Sequence, residues 1–300
     1  MTASRPWRLV AARFGRHRLA LASLGFLGVL VALSLAAPWI AEWRGVDPTA
    51  TDLLRRFAAP SAEHWLGTDD LGRDLFQRLL EGGRVSLAVG LAGALLSSIA
   101  GALIGVVAGY RGGRLDEILM RLTDGMIALP LLPLLIVLAA IDWRKLGVPA
   151  EIAQSESFSL YTIVGIVALT GWTQVARLVR AETLSLKARD FARAARALGA
   201  TPTHIMWRHI LPNTAGALTV ATTMSMGGLI LFESTLSFLG LGIQPPSASW
   251  GNMLTGAQDL LHQAPGLAVW PGLLIFLTVI AFNFLGDGLQ DALDPRSERR

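Results

Sequence analysis

Charge disappears from the chain six times. Residues 19–41, 85–110, 125–141, 157–176, about 213–232 and about 264–286 contain no Asp, Glu, Lys or Arg and consist mainly of aliphatic, aromatic and glycine residues. A helix rises about 1.5 Å per residue, so about twenty residues cross a hydrocarbon layer of roughly 30 Å. The pattern predicts an all-α integral membrane protein with about six transmembrane helices. The third run is short, and its helix is expected to start earlier and take in Asp124. The first run follows a basic stretch, as a signal peptide would. It is too long for a signal core and is read as an uncleaved first span.

Two polar stretches carry helical patterning of their own. In "GTDDLGRDLFQRLLEGG", Thr68 is placed to cap a helix, Leu71, Leu75 and Leu79 line one face, and Gly82 and Gly83 are expected to end it. This helix is expected on the outer membrane surface or on the bundle. "DFARAARALGATPTHIMWRHILPN" reads as two short helices broken at a glycine. Asp190 is placed to cap the first. Phe191, Ala195 and Leu198 fall on one face with Ala194 beside them, and Arg189, Arg193 and Arg196 on the other. Gly199 stands where a left-handed residue closes a helix. Thr201 then caps a second helix with Pro202 at its first position. Leu211-Pro212 is expected to end that helix, since a residue before proline is biased away from helix. The pattern fits a docking element for another protein or an interfacial helix touching lipid phosphates, and does not choose between them.

Composition adds class and orientation. The 300 residues are 52% hydrophobic and only 16% charged, far from a soluble domain. The absence of cysteine excludes disulfides, thiolate metal sites and a cysteine nucleophile. A net charge of +4 does not point to nucleic acid, because the arginines sit beside apolar runs, where membrane lipid and the positive-inside rule account for them. With the N-terminus in the cytoplasm, the inner segments hold eighteen of the 26 basic residues, including Arg5, Arg13, Arg114, Arg121 and Arg296. Six of the remaining eight lie in the 42–84 loop among eight acids. The opposite orientation reverses this bias, so both termini are expected inside.

Within the second run, Gly93, Ser97, Gly101, Gly105 and Gly109 place small residues on one helix face, where another helix can approach closely. Pro130 and Pro133 interrupt the third run, as a hinge or as an ordinary kink. A charge at a helix centre costs about 2.5–3.5 kcal/mol on insertion scales, so the polar groups near the runs need reasons. Glu233 is read as a path-lining group or as an interfacial one. Asp124 is expected to pair with Arg121. Asn283 and Asp287 either bond across helices or face a cavity, and Asp287, Asp291 and Asp294 form a solvated exit. Met224, Met226, Gly227 and Gly228 make a soft patch, suited to varied substrates but also ordinary in a core. The candidate path residues are thus Met224, Met226, Glu233 and Asn283.

Arg193-Ala194-Ala195, Gly199, His209 and Leu211-Pro212 resemble the cytoplasmic loop of ABC importer permeases, in which Glu-Ala-Ala, Gly and Ile-x-Leu-Pro recur at this spacing. Arg193 stands where the family has glutamate and His209 where it has isoleucine, so a role for that carboxylate is not carried over. "HWLGTDDLGRDLFQRLLEGGRVSLAVGL", "ESTLSFLGLGIQPPSASWGNML" and "FNFLGDGLQDALDPR" are similar to the dipeptide, oligopeptide and nickel permeases, C-type subunit, over about residues 17–296. The resemblance implies a type I ABC importer permease bundle in a bacterial inner membrane. It implies three kinds of protein partner: a homologous second permease, two ATP-binding cassette subunits that hold the ATP and Mg, and an extracytoplasmic substrate-binding protein. It implies that Asp190, Arg193, Ala194, Ala195, Leu198, Gly199, Pro202, Leu211 and Pro212 belong to a segment that couples ATPase motion to alternating access. Di- and oligopeptides lead the substrates it implies, with nickel chelates and glutathione-like molecules also in range.

No motor is encoded in the chain. Lys145 and Lys187 follow Arg144 and Leu186, so neither sits in a Gly-Lys-Ser/Thr phosphate loop. His-Glu-x-x-His and Gly-x-Ser-x-Gly are also missing, and no catalytic, cofactor or metal residue is assigned. The alternative is a secondary transporter or channel without an ATPase partner. It predicts broken helices near the midplane in repeated halves, and no repeat is visible. The expected division is a tail, first span and outer loop over 1–83, a five-helix core over 84–290 with the coupling segment at 190–212, and a cytoplasmic tail over 291–300.

Overall fold

A computed structural model of the chain describes residues 6–153 and 155–293. Its α-helices are α1 (Pro6–Phe14), α2 (Arg18–Leu35), α3 (Ala37–Arg44), α4 (Leu75–Arg111), α5 (Gly113–Ala128), α6 (Leu131–Ala139), α7 (Ala150–Ala153), α8 (Glu156–Leu186), α9 (Asp190–Ala197), α10 (Pro202–Ile205), α11 (Ala215–Phe238) and α12 (Gly266–Leu293). Among the described residues there is no β-strand. Five helical stretches are long and apolar enough to cross a membrane: α2, α4, α8, Pro202–Phe238 and α12. A sixth candidate is the pair α5 and α6, bent by 88° at the break between them.

Side-chain contacts fix which ends lie together. Lys187 Nζ donates to the Gly109 carbonyl at 2.6 Å, so α4 ends beside the end of α8. Ser159 Oγ donates to the Gly242 carbonyl at 3.2 Å, so α8 begins at the opposite end, near where α11 stops. The chain leaves α4 at one end and enters α8 at the other, and α5 with α6 makes the crossing between them. His17 and Asp291 approach to 3.9 Å, placing the start of α2 and the end of α12 at the first end as well. We call this the α9 end and the other the far end.

The small-residue stripe of α4 is a seam against α8. A Cβ on Gly101 would stand 2.7 Å from the Trp172 carbonyl oxygen, on Gly105 2.6 Å from that of Ala176, and on Gly109 2.8 Å from that of Arg180. No side chain fits at such separations, so glycine brings the two backbones into contact. Val89, Ala94, Ile163, Val164, Val167, Leu229 and Leu236 fill the core where α4, α8 and α11 meet.

The prolines divide the third run into two helices, where a hinge or an ordinary kink was expected. Leu129 is extended ahead of Pro130, which caps α6, and Pro133 lies in the first turn of α6, where its missing N–H costs nothing. The first run is likewise divided: α2 stops at Leu35 and α3 restarts with Pro38 in its first turn.

The outer helix expected from Thr68 to Gly83 does not form. Asp74 is the N-cap, accepting from the Gln77 N–H at 2.8 Å, and α4 runs from Leu75 without a stop at 83 or 84. Gly82 and Gly83 lie inside α4 because residues 249 and 250 cross it there. A Cβ on Gly83 would stand 2.9 Å from the Trp250 ring, and one on Gly82 3.1 Å from the Ser249 backbone. Leu75 and Leu79 are core residues, and Leu71 stays in the loop. Thr68 serves the loop: its hydroxyl donates to the Arg55 carbonyl and accepts from the Ala58 N–H.

The far-end loop over 45–74 is tied by its own charges. Asp74 accepts from both Arg44 η nitrogens at 3.1 and 3.0 Å, and His64 Nδ1 lies 3.0 Å from Oδ2, the oxygen that Arg44 Nη2 also reaches. Arg44 stacks over Trp65 at 4.5 Å and donates to the Glu63 carbonyl. Asp69 takes Arg73 at 2.7 Å and Arg78 at 3.3 Å. The basic residues of this loop answer its acids, which is why they weaken the charge bias without reversing it.

Two outcomes follow from this packing. Gly105→Val is expected to destabilise the chain by about 1–3 kcal/mol or more, read as a lowered thermal midpoint in detergent, whereas Gly25→Ala, which meets nothing within 4 Å, leaves it unchanged. Burial raises the Asp74 carboxyl, but bonds from Arg44, the Gln77 amide and His64 outweigh it and hold the group below its usual range. A depressed folded pKa means that its stabilisation is complete above the unfolded value of about 3.9 and is lost as pH falls through the folded value. Protease sensitivity of the 45–74 loop should therefore rise below about pH 4 in the wild type, and already at neutral pH in Asp74→Ala.

Candidate coupling segment and transport path

The 190–212 segment is two structures of different kind. Helix α9 is an independent short rod. Arg189 is its N-cap and makes no side-chain cap bond, so Asp190 is its first residue rather than its cap. An acid there still complements the helix dipole. Ala192 is 0% exposed, and Ala195 packs on the cluster of Leu186, Ile205 and Ile210. The helix thus rests on its alanines, which are short enough to let it lie close. Phe191, Ala194 and Leu198 point away, Phe191 being 37% and Leu198 88% exposed. The expected grouping of Ala195 with Phe191 and Leu198 on one face is divided: Ala195 turns inward and the other two outward.

The closure of α9 is as expected. Gly199 is left-handed at φ +84°. Its N–H donates to the Arg196 carbonyl and that of Ala200 to the Ala195 carbonyl, both at 3.0 Å, completing a Schellman motif. Thr201 Oγ1 accepts from the His204 N–H at 3.3 Å, and Pro202 opens α10.

Leu211 and Pro212 do not end the second helix. From α10 the chain passes through a π turn at Met206–Ile210 and a 3-10 turn at Leu211–Thr214 directly into α11. A wide turn followed by a tight one accommodates a proline without a stop. Asn213 Nδ2 donates to the His209 carbonyl at 2.6 Å and Thr214 Oγ1 to that of Leu211 at 2.8 Å, supporting the irregular turns. Arg193 is exposed and makes no ion pair among the described residues.

The four candidate path residues do not share one surface. Met224 is exposed on α11 and lies against Gly286 of α12. Met226 packs against the α4–α8–α11 core. Asn283 is exposed and returns its amide to the Val279 carbonyl at 3.0 Å. Glu233 is 0% exposed, deep in the far end of α11. It is therefore enclosed by protein on every side rather than open to solvent. Asp124 is approached by Arg177 at 3.9 Å, while Arg121 pairs with Glu117 at 2.7 Å, so the expected Asp124–Arg121 pair is absent. Asp287 and Asp291 are exposed at the α9 end, and Asp294 and the basic tail lie outside the described residues.

Glu233 is the hub of a directed hydrogen-bond network. The Trp250 N–H donates to Ser86 Oγ at 3.2 Å, and Ser86 Oγ donates to Glu233 Oε2 at 3.0 Å. The Ile243 N–H donates to Ser237 Oγ at 3.0 Å, and Ser237 Oγ donates to Glu233 Oε1 at 2.7 Å. Each serine accepts from a backbone amide and spends its one proton on the carboxylate. Trp250 Nε1 also reaches the Leu79 carbonyl at 3.0 Å. The 243–250 loop is thereby clamped onto α4 and α11. Sequence reasoning missed Ser86, Ser237 and Trp250. The signal was the serine one helical turn after Glu233. Among the described residues, no group of three or more His, Asp or Glu is placed to hold a metal ion.

The profile of the binding-protein-dependent transport system inner membrane component matches residues 101–299. That of the N-terminal transmembrane domain of oligopeptide transport permease C matches residues 5–60. The chain belongs to the binding-protein-dependent ABC importer permeases. The permease is 38% identical to the oligopeptide transport system permease protein OppC of Haemophilus influenzae, over 97% of this chain and 88% of that one. It is 37% identical to OppC of Bacillus subtilis, over 97% and 90%. It is 40% identical to the glutathione transport system permease protein GsiD of Pectobacterium atrosepticum, over 97% and 91%. A permease of this family is a multi-pass protein of the bacterial inner membrane. It works with separate ATPase and substrate-binding subunits and is not itself an enzyme.

Glu233→Gln is expected to lower the thermal midpoint by the equivalent of about 1–3 kcal/mol, because the new amide end cannot accept a serine proton. Asn283→Ala, which removes only a bond within its own helix, should change stability by less than about 0.5 kcal/mol.

Proposed function

We propose that this chain is the C-type permease subunit of an importer for di- and oligopeptides and that the 190–212 segment receives the motion of its ATPases. The relatives named above carry oligopeptides and glutathione, itself a short peptide, and a peptide backbone is the chemistry those substrates share. In this reading one copy pairs with a homologous permease, two ATP-binding cassette subunits supply ATP and Mg chemistry, and a binding protein delivers substrate at the far end. The α9 end lies in the cytoplasm with both termini, in keeping with the charge bias. Met224 and Asn283, exposed on adjoining helices, face the path, while Met226 and Glu233 support its wall from within.

The observation that carries the coupling role is the outward ridge of Phe191, Ala194 and Leu198 on a helix already closed and seated by its alanines. A preformed apolar ridge at the end of two spans binds a groove without an ordering cost. Closure of the ATPases then displaces α9, and the bundle alternates between inward- and outward-open states as packed bodies.

Co-purification tests this. The tagged chain, expressed with its partner permease and ATPases, is expected to retain ATPase in mild detergent. Leu198→Glu and Ala194→Glu, both on the exposed ridge, should cut recovery about tenfold with the thermal midpoint unchanged, roughly 1.4 kcal/mol of binding. Undiminished recovery in both variants would return the segment to a membrane-surface role.

A further inference from the structure

Helix α5 is sparsely anchored for its length. Of its sixteen residues only Thr123 is buried, and that hydroxyl bonds back to the Leu119 carbonyl of its own helix. It leaves α4 through Gly112 and Gly113, both left-handed at φ +66° and +60°, with nothing within 4 Å of either Cβ position. That turn is open to glycine alone, and no side chain braces it. The orientation of α5 must be set elsewhere.

It is set from α8. Arg180 Nε and Nη2 donate to the two oxygens of Asp116 at 2.6 and 2.7 Å, a bidentate pair in which the side chains are 33% and 15% exposed. One turn earlier on α8, Arg177 approaches Asp124 at 3.9 Å. Two turns past the latch, Lys187 caps the end of α4 through the Gly109 carbonyl at 2.6 Å. Planar two-point pairing fixes angle as well as distance, which a single contact does not. The end of α8 leads through Arg189 into α9. Tyr110 of α4 lies in the cluster under α9 with Ala195, and Arg196 stands 5.9 Å over its ring.

We propose that Asp116, Arg180 and Lys187 are positioning residues for transport: they lock α5 and the end of α4 to the end of α8, so that displacement of α9 is delivered to the bent α5–α6 crossing. The glycine pair lets α5 swing, and the latch decides what it swings with. None of the three touches substrate or nucleotide. The proposal rests on the coupling role of the 190–212 segment.

The chain has no cysteine, so two can be placed and labelled on the purified permease, without background from this chain, before the partners are added. Ile118→Cys on α5 and Ser185→Cys on α8, both exposed, carry spin labels in the full complex with partner permease, ATPases and binding protein. The distance distribution between them is expected to be narrow and the same without nucleotide and with the ATPases trapped closed. Adding Asp116→Asn should split or broaden it, and peptide transported per ATP hydrolysed should fall at least about fivefold. The exchange of Asp116→Arg with Arg180→Asp should restore both. A wild-type distance that changes between the two states overturns the proposal, and does so even if Asp116→Asn fails to assemble. So does an Asp116→Asn complex with both readings unchanged. Loss of ATPase from the wild-type complex instead sinks the coupling role itself, and the latch with it.

Discussion

Backbone contact between α4 and α8 is the constraint on which the remaining packing depends. Lipid tails are as apolar as leucine, so burying apolar side chains does not by itself hold two spans together. Close approach does, and here it is set by Gly101, Gly105 and Gly109 lying against carbonyl oxygens of α8. Once the two helices touch, their ends are level. Gly109 comes within reach of Lys187, Asp116 within reach of Arg180, and Tyr110 under α9. The arrangement at the α9 end is a consequence of the seam higher in the bundle.

The far end is organised by a different force. There polar groups are buried, and the two enclosed carboxylates, Glu233 and Asp74, have partners of defined direction. Glu233 collects protons from Ser86 and Ser237, with Ser234 at 3.5 Å, Ser86 and Ser237 collect two amides, and Ile243 and Trp250 bury the apolar side chains of the 243–250 loop. Asp74 does the same for the 45–74 loop with Arg44 and His64. The two ends of the protein thus differ in kind: one is held by shape with a few ion pairs, the other by enclosed carboxylates.

Much of this was legible in the chain. Five of the six apolar runs lie in helices long and apolar enough to cross a membrane, the third falls in the bent α5–α6 pair, and the spacing-four stripe marked a helix seam. Gly199 and Thr201 stood where the turn needed them, because capping chemistry is local. The errors were of one type. Gly82–Gly83 and Leu211-Pro212 were read as helix stops from their local preference, and both lie inside continuous helical chain. Gly82 and Gly83 are small because Trp250 and Ser249 cross them, a contact more than 160 residues away in sequence. Pro212 is absorbed by a π turn, which no periodicity announces. Glu233 was weighed between path and interface because its partners Ser86 and Trp250 come from other parts of the chain. Arg121 was paired with Asp124 by proximity in sequence, whereas α8 supplies Arg177 instead.

The continuity of Pro202–Phe238 has a mechanical meaning. A helix of this length transmits axial load and resists shortening, and its π and 3-10 turns keep it continuous past Pro212. The residues beneath α9 and the Glu233 clamp are therefore attached to the same rod. A screw-like motion begun at Ile205 would arrive at Ser237 as rotation, and would turn the 243–250 loop as a handle turns a bolt. The seat of α9 at one end and the enclosed carboxylate at the other are joined by a single covalent shaft.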